Sequence, residues 1–584
     1  MCGVVGVSLT PHTGQRPAGE VAAGILEQLL HRGPDGCGLV DHGTAALGMA
    51  RLRIRSRQQD SVPFAGSDVV FAFNGEVYRA DGRVPQGGFE EARRAGEPDA
   101  ATAVDGMYAV VSGGPDGTLR AVRDPLGIKP LYLRESPDGV AVASEVGPLV
   151  DVFGRAPVRP AAFAQFLLSG RRVVDGGSFF EGIRAVRPGE RLTLRDGRIM
   201  QSVLTPPRPS APGMPEPAEL RAALETAVDQ MLLTDRQVGL AVSGGLDSTL
   251  VARLLARRGV RDLPTVSVRP QDTGDGVSDL SDLGLSDGVI GTWRHRSTSF
   301  GPADLLAGLP AAVRSIGEPV AMSSLPMYRA LAELAKASGI TVLLVGEGAD
   351  ELFAGYHRYR ALYAGAFTDP VDFYLPDERL ELVTALLGRD ACADATGELR
   401  RAIGRSRAAA AERHGIEPGV VDVVREHEYE HSLEPLLRRT DHLLMAEGIE
   451  GRTPFLHGGV AELARRYPAH SLVRGSLTKV ALREAFADLL PPSYSVQPKL
   501  PFRAPVREWL RGGLLPRVDR TLADATESLH QRLGVRPAGM LLLRERLAAG
   551  DAVASTLAFA LLSTVEWFCW LDDSAARSEA SVSV

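Results

Sequence analysis

The sequence predicts a two-domain chain of mixed class, a strand-rich sandwich followed by a parallel α/β domain, and three observations carry that reading. Short alternating strands separated by turn clusters fill the first part, 1–204. A Pro-rich stretch, Thr205 to Pro217 (TPPRPSAPGMPEP), then interrupts every regular pattern and reads as a linker. Beyond it, buried apolar strands alternate with amphipathic helices, the pattern of a parallel sheet with helical crossovers.

The elements follow in order. Val21 to Leu30 places Ile25, Leu26 and Leu29 on one helical face against the first sandwich. In the second domain, 218–573, a helix (Ala218 to Leu232) leads to an apolar strand (Val238 to Val242), a Gly-rich turn, a helix (Ser248 to Arg258) and a second buried strand (Pro264 to Val268). A helical stretch, Leu325 to Ser338, precedes a further apolar run, Ile340 to Val345. Beyond residue 375 the pattern is mostly helical and ends in an apolar helix, Leu557 to Leu571. The polar residues 574–584 read as a disordered tail.

Composition removes several function classes. A net charge of −7 gives no electrostatic footprint for nucleic acid, and there is no run of 18 uninterrupted apolar residues for a membrane span. Four cysteines (Cys2, Cys37, Cys392, Cys569) without CxxC spacing fit neither a disulfide framework nor a structural zinc site, and suggest a reducing, cytoplasmic setting. Of 65 basic residues only four are lysines: Lys129, Lys336, Lys479 and Lys499. Where arginine supplies ordinary surface charge, a retained lysine points to a task that needs a compact ammonium.

Two constellations carry chemistry. The first is Cys2 behind an initiator methionine whose removal a small second residue permits. The freed α-amine, with a pKa of about 7.7–8.0, can take the thiol proton, so nucleophile and base come from one residue. It is accompanied by His31-Arg32-Gly33-Pro34-Asp35-Gly36, Arg51-Leu52, Phe73-Asn74-Gly75-Glu76-Val77-Tyr78 and Arg123-Asp124-Pro125-Leu126-Gly127-Ile128-Lys129-Pro130. Taken singly, Arg51 reads as a surface ion pair and Asn74-Gly75 as a hairpin turn. Together and in this order they resemble the class II glutamine amidotransferases, N-terminal nucleophile (Ntn) hydrolases. The resemblance implies an αββα fold, Cys2 as nucleophile, Asn74 and the Gly75 N–H as oxyanion hole, and a glutamine site of Arg51, Asn74, Gly75 and Glu76. Relatives also carry a Ser-Asp-x-Glu motif for the substrate amine. It is missing here, and Asp99 is the nearest carboxylate in sequence.

The second constellation is Ser243-Gly244-Gly245-Leu246-Asp247-Ser248 between a buried strand and a helix. Its N–H groups can cradle an anion, and it does not fit the Walker A pattern. Downstream come Val345-Gly346-Glu347-Gly348-Ala349-Asp350-Glu351, Glu450-Gly451-Arg452-Thr453-Pro454-Phe455, Lys479-Val480-Ala481 and Gln497-Pro498-Lys499. These resemble the synthetase half of asparagine synthetase, a parallel ATP-pyrophosphatase (adenine nucleotide α-hydrolase-like) domain with helical additions. The resemblance implies ATP bound by Ser243, Gly244, Gly245, Leu246, Asp247, Ser248, Val268, Gly346 and Lys479, and Mg²⁺ held by Asp247 and Asp350. Lys499 would meet the α-phosphate charge and Glu347 would act on the amine. It further implies an acyl-adenylate, glutamine and a small carboxylic acid as substrates, and a homodimer.

Ammonia passing between the halves calls for an enclosed, largely apolar passage. The acceptor region departs from the family in three places: the shortened Glu318 to Pro326 segment, Val345 where serine is usual, and His457 where aspartate is usual. These changes point to an acceptor other than aspartate, in specialised metabolism. The alternative is an amide ligase with an impaired glutaminase half and another nitrogen donor.

Overall fold

The computed structural model describes the backbone of residues 2–582 apart from 12–15, 56–61, 171–175, 206–212, 272–276, 278, 284–287, 415–416 and 496–501. The first half is two antiparallel six-stranded sheets packed face to face. One runs Ile183–Ala185, Tyr132–Ser136, Gly139–Ala143, Cys2–Leu9, Ala45–Arg51, Gly36–Asp41. The other runs Arg198–Leu204, Glu190–Arg195, Leu119–Arg123, Val104–Gly113, Val70–Ala80, Phe64–Ala65. Alternate residues of each strand enter the filling between the sheets, among them Val4, Leu47, Phe73, Val111 and Val142. The sheets come so close that a Cβ on Gly6 would lie 2.7 Å from Val111. Helix Ala18–Gln28 covers the outer face of the first sheet with Val21, Ile25 and Leu26, and helix Gly88–Ala95 covers the second. This is the αββα sandwich.

The second half is built on a five-stranded parallel sheet in the order Arg294–Phe300, Pro264–Pro270, Val238–Ala241, Val342–Leu344, Glu450–Arg452. The chain steps outward on one side of Val238–Ala241 and then returns to build the other side. The strand order therefore reverses between Val238–Ala241 and Val342–Leu344, and such a switch point opens a crevice at the carboxyl ends of the strands. Both chemical turns of this half, SGGLDS and GEGADE, leave the sheet there.

The long helix Ala552–Val582 corrects the expectation of a disordered tail for residues 574–582, while 583–584 lie outside the described residues. Once its buried part has nucleated the helix, the Ala-, Ser- and Glu-containing continuation extends it at little cost. By length and composition the stretch Ala552–Ala575 would pass for a membrane span, yet 67% of its apolar window is buried inside the protein. Trp567, fully buried on it, packs edge-on against Phe179 and Phe180 of the first half and donates from Nε1 to the Gly317 carbonyl, 3.1 Å. One apolar core thus continues through both halves.

Candidate active sites

Cys2 opens the central strand of the first sheet, directly opposite Arg51. Its backbone N–H donates to Asn74 Oδ1 at 2.9 Å, and the buried Nδ2 of Asn74 has no partner among the described residues. That leaves one amide donor unspent beside the nucleophile, as an oxyanion hole requires. Gly75 follows with φ +151°, where a Cβ would lie 2.0 Å from the Met107 carbonyl, so only glycine fits. Burial pushes the Cys2 thiol above its ordinary range, while the amino terminus, the Leu52 backbone and the Arg51 guanidinium pull it back. Arg51 is buried, with its guanidinium 4.9 Å over the Phe64 ring. Glu76 shares Asn74's face of the strand and lies 3.5 Å from Arg55 and 3.7 Å from Arg452 of the second half. Asp99 is exposed and bonded by Arg94 at 2.9 Å.

The quoted motifs hold this site in place. Asp124 accepts from the N–H groups of Leu126, Ile128 and Lys129, and Arg123 donates to the carbonyls of Gly127, Lys129 and Val186. This clamps the loop that carries Lys129 into the domain interface. Arg32, fully buried, donates to the Cys2 carbonyl (3.1 Å), Glu145 (2.9 Å) and Asp441 of the second half (2.6 Å). Lys129 lies 3.6 Å from Asp441, and burial draws its ammonium below the usual range against the pull of Asp441 and Glu450.

In the second half, Gly244 with φ +76° makes the sharp turn into helix Leu246–Arg257. Ser243 and Ser248 brace it: the Ser243 N–H donates to Ser248 Oγ (3.2 Å) and the Gly245 N–H to Ser243 Oγ (3.3 Å). Lys479 Nζ reaches both oxygens of Asp247 at 2.5 Å and Asp350 Oδ1 at 2.7 Å. The three residues expected from separate motifs to meet at the phosphates are thus one cluster. Lys479 itself sits at φ +56°, an uncommon conformation for a non-glycine residue, and such strain collects at functional sites. The cluster leaves no room beside it: a Cβ on Gly355 would fall 1.9 Å from Asp350 Oδ1 and 2.2 Å from Lys479 Cε. Glu347 ion-pairs with Arg439, which also donates to Ser324 Oγ at 2.7 Å and stacks 4.5 Å over the Tyr328 ring. Ser243, Asp247, Ser248, Val268, Gly346, Glu347 and Asp350 line one cavity of about 880 Å³.

Two carboxylates are a suitable protein donor set for Mg²⁺, which takes one or two carboxylates and completes its shell with phosphate oxygens and water. Among the described residues, no group of three or more His, Cys, Asp or Glu side chains could hold a metal without such help.

One expected site residue, Lys499, lies outside the described residues. The Leu246 side chain is buried in the apolar core, so the turn offers only its backbone at that position. His457 is turned to the domain interface, 3.3 Å from Asp105 and edge-on to Tyr78, instead of toward an acceptor. A chain of charged pairs also links the two sites. Helix Leu433–Met445 carries Arg439 at Glu347 and Asp441 at Arg32, and Arg32 bonds the Cys2 carbonyl. The sequence reading missed Arg32, Glu145, Arg439, Asp441 and Glu450 as site residues. Their only signals were membership in quoted motifs for Arg32 and Glu450, and lysine scarcity for their neighbour Lys129.

Comparison with known proteins agrees with this two-site layout. The asparagine synthase family matches residues 219–568, and the glutamine amidotransferase domain family matches residues 1–81 and 90–204. A putative asparagine synthetase (glutamine-hydrolyzing) of Mycobacterium tuberculosis is 29% identical, covering 88% of this chain and 89% of the relative. Asparagine synthetase (glutamine-hydrolyzing) 1 of Bacillus subtilis is 25% identical, covering 88% of each. With both halves matched along nearly their whole length, the chain belongs to the asparagine synthetase family, as a glutamine-dependent amidotransferase fused to an ATP-using carbon–nitrogen ligase.

Proposed function

We propose that the protein activates a carboxylic acid other than free aspartate as an acyl-adenylate and captures it with ammonia released from an amide donor at Cys2. One observation carries the reading: Ser243, Asp247 and Ser248 of the SGGLDS turn, Asp350 and the Glu347–Arg439 pair line a single cavity at the sheet's switch point, with Lys479 bonded to both aspartates. An oxygen of the acceptor carboxylate attacks the α-phosphorus of ATP, the bond to the α–β bridging oxygen breaks, and pyrophosphate leaves. The turn's N–H groups and the helix N-terminus hold the pyrophosphate charge, while Lys479 and Lys499 supply ammonium groups to the developing negative charge. Asp247 and Asp350 would hold Mg²⁺, which when bound neutralises phosphate charge. The ammonia nitrogen then attacks the acyl carbon, the carbon–oxygen bond to phosphate breaks, and AMP departs. Glu347 orients the nitrogen and receives its proton.

At the other end, the α-amine of Cys2, freed by loss of Met1, takes the thiol proton. A thiol pushed up by burial needs such an adjacent base. The thiolate attacks the amide carbon and the oxyanion meets Asn74 Nδ2 and the Gly75 N–H. Ammonia leaves, and water releases the acyl group. Arg51 clamps the donor's α-carboxylate, with Glu76 bordering the same site. A second reading is favoured by one observation: Asp99, the carboxylate nearest in sequence to the missing amine-binding motif, is exposed and spent on Arg94. In that reading the ligase takes nitrogen from another donor. We read the protein as cytoplasmic and homodimeric, without nucleic-acid or membrane partners.

The test supplies amide-¹⁵N glutamine, MgATP and a panel of acids. AMP, pyrophosphate and ¹⁵N-labelled product are expected, and Cys2→Ala should abolish glutamine-supported but not ammonia-supported synthesis. Release of ADP and orthophosphate would overturn the acyl-adenylate. Product that forms without label from glutamine, its nitrogen coming from another amine, would favour the second reading.

A further inference from the structure

The cavity at the synthetase site is about 880 Å³, near the top of the roughly 300–1,000 Å³ typical of small-molecule sites, and its walls differ in character. The nucleotide end presents Ser243, Asp247, Ser248 and Asp350. Much of the remaining lining is apolar. Met322, Leu436 and Val506 are half-buried on it and Phe179 and Phe559 are buried, with Ser323, Ser432, Ser555 and Thr556 on the same lining. Phe179 comes from the amidotransferase half and is fixed by its N–H on Glu318 (2.9 Å) and by edge contacts with Phe166 and Trp567. The chamber is therefore closed by both halves.

Its buried charges are matched internally. Arg438 is tied to Glu318 at 2.5 Å and to the Ile316 carbonyl at 2.7 Å, Arg439 to Glu347 and Ser324, and Arg358 to Glu428. Asp247 and Asp350 are engaged by Lys479. Arg503, Arg507 and Glu508, also on the lining, are exposed to solvent. An acceptor that carries an ammonium and a second carboxylate would have to displace one of these pairs, because an unmatched buried charge is costly, or rely on Arg503, Arg507 and Glu508 at the solvent side, where water screens the attraction. An acid with an apolar body displaces none and gains contact with the apolar wall.

We propose that the acceptor is a carboxylic acid with an apolar body and no ammonium group, seated on Met322, Leu436 and Val506 with its carboxylate toward the nucleotide end. This rests on the acyl-adenylate reading and names its substrate class. Each buried methylene should raise kcat/KM about fourfold until the chamber is filled, the equivalent of about 0.8 kcal/mol per methylene.

The experiment is ATP–pyrophosphate exchange by the full-length protein with MgATP and acetate, butanoate, hexanoate, 3-phenylpropanoate, succinate and aspartate. Exchange should climb along the apolar series and stay at least tenfold lower with succinate and aspartate. Leu436→Ser and Met322→Ser should flatten the climb without changing the KM for ATP, and Leu436→Met, which keeps the apolar surface, should retain it. Exchange led by aspartate or succinate would overturn this proposal and leave adenylation standing. ADP formation instead of exchange, or no exchange with any of the six acids, would overturn both.

Discussion

Asn74 offers the sharpest test of the amidotransferase site, because its two amide atoms do different work. Oδ1 accepts the Cys2 N–H at 2.9 Å, and Nδ2 is buried without a partner among the described residues. Asn74→Ala removes both. Loss of one oxyanion donor costs about 10²–10³ in kcat, or about 2.7–4 kcal/mol. Loss of the acceptor adds the modest net worth of a hydrogen bond, about 0.5–1.5 kcal/mol, and loosens the nucleophile. Asn74→Asp separates the two: it keeps the acceptor but turns a carboxylate toward the developing negative charge, so it should be at least as slow as alanine. The assay is glutamate release from glutamine, with ammonia-supported product formation in the same samples as the control for an intact second half. A drop of less than tenfold in Asn74→Ala, or an aspartate variant clearly faster than the alanine one, would refute the oxyanion assignment.

Other expectations concern the second half and the interface. Lys479→Gln removes the ammonium shared by Asp247 and Asp350, and ATP–pyrophosphate exchange should fall by about 10² or more; near-normal exchange would show that Lys479 only packs. Gly355→Ala, whose Cβ would collide with both Asp350 and Lys479, should lower exchange more than tenfold, whereas an addition on exposed helical Gly404, which has open space around it, should not. Asp441→Ala leaves Arg32 buried with one of its two carboxylate partners removed, and unfolding by urea should register a loss of about 3–5 kcal/mol; a change under about 1 kcal/mol would count against a working interface pair. His442 is fully buried and burial holds its pKa down to about 4. Because the unfolded chain takes up this proton near 6.5 and the folded chain does not, the stability from His442 is complete above pH 6.5. It is lost as pH falls toward 4, by on the order of 3 kcal/mol over the span. Urea midpoints from pH 7 to 4 should show this slope in the native protein and a flatter one in His442→Phe.

The sequence by itself determined the class of each half and the family. Strand-turn alternation, the Pro-rich break and the strand–SGGLDS–helix order are local patterns, and local patterns dictate local conformation through side-chain periodicity and turn sterics. Cys2, Asn74, Gly75, Asp247, Asp350 and Lys479 were legible as candidates because several motifs stand together in the order of a known family, although Asn74-Gly75 alone would read as a turn. What the tertiary structure decided is who meets whom across distance. Lys479 lies 232 positions from Asp247 yet bridges it to Asp350, and Arg32 lies 409 positions from the Asp441 it binds. Such pairings depend on the order of parallel strands and on the docking of two sheets against a helical shell, neither of which leaves a periodic trace along the chain. The same reason sets His457 against Asp105 and Tyr78 at the domain interface and places Arg439 and Asp441 on one helix between the two sites. A residue's neighbours in sequence fix its backbone, but its electrostatic environment is set by segments that arrive from elsewhere in the fold.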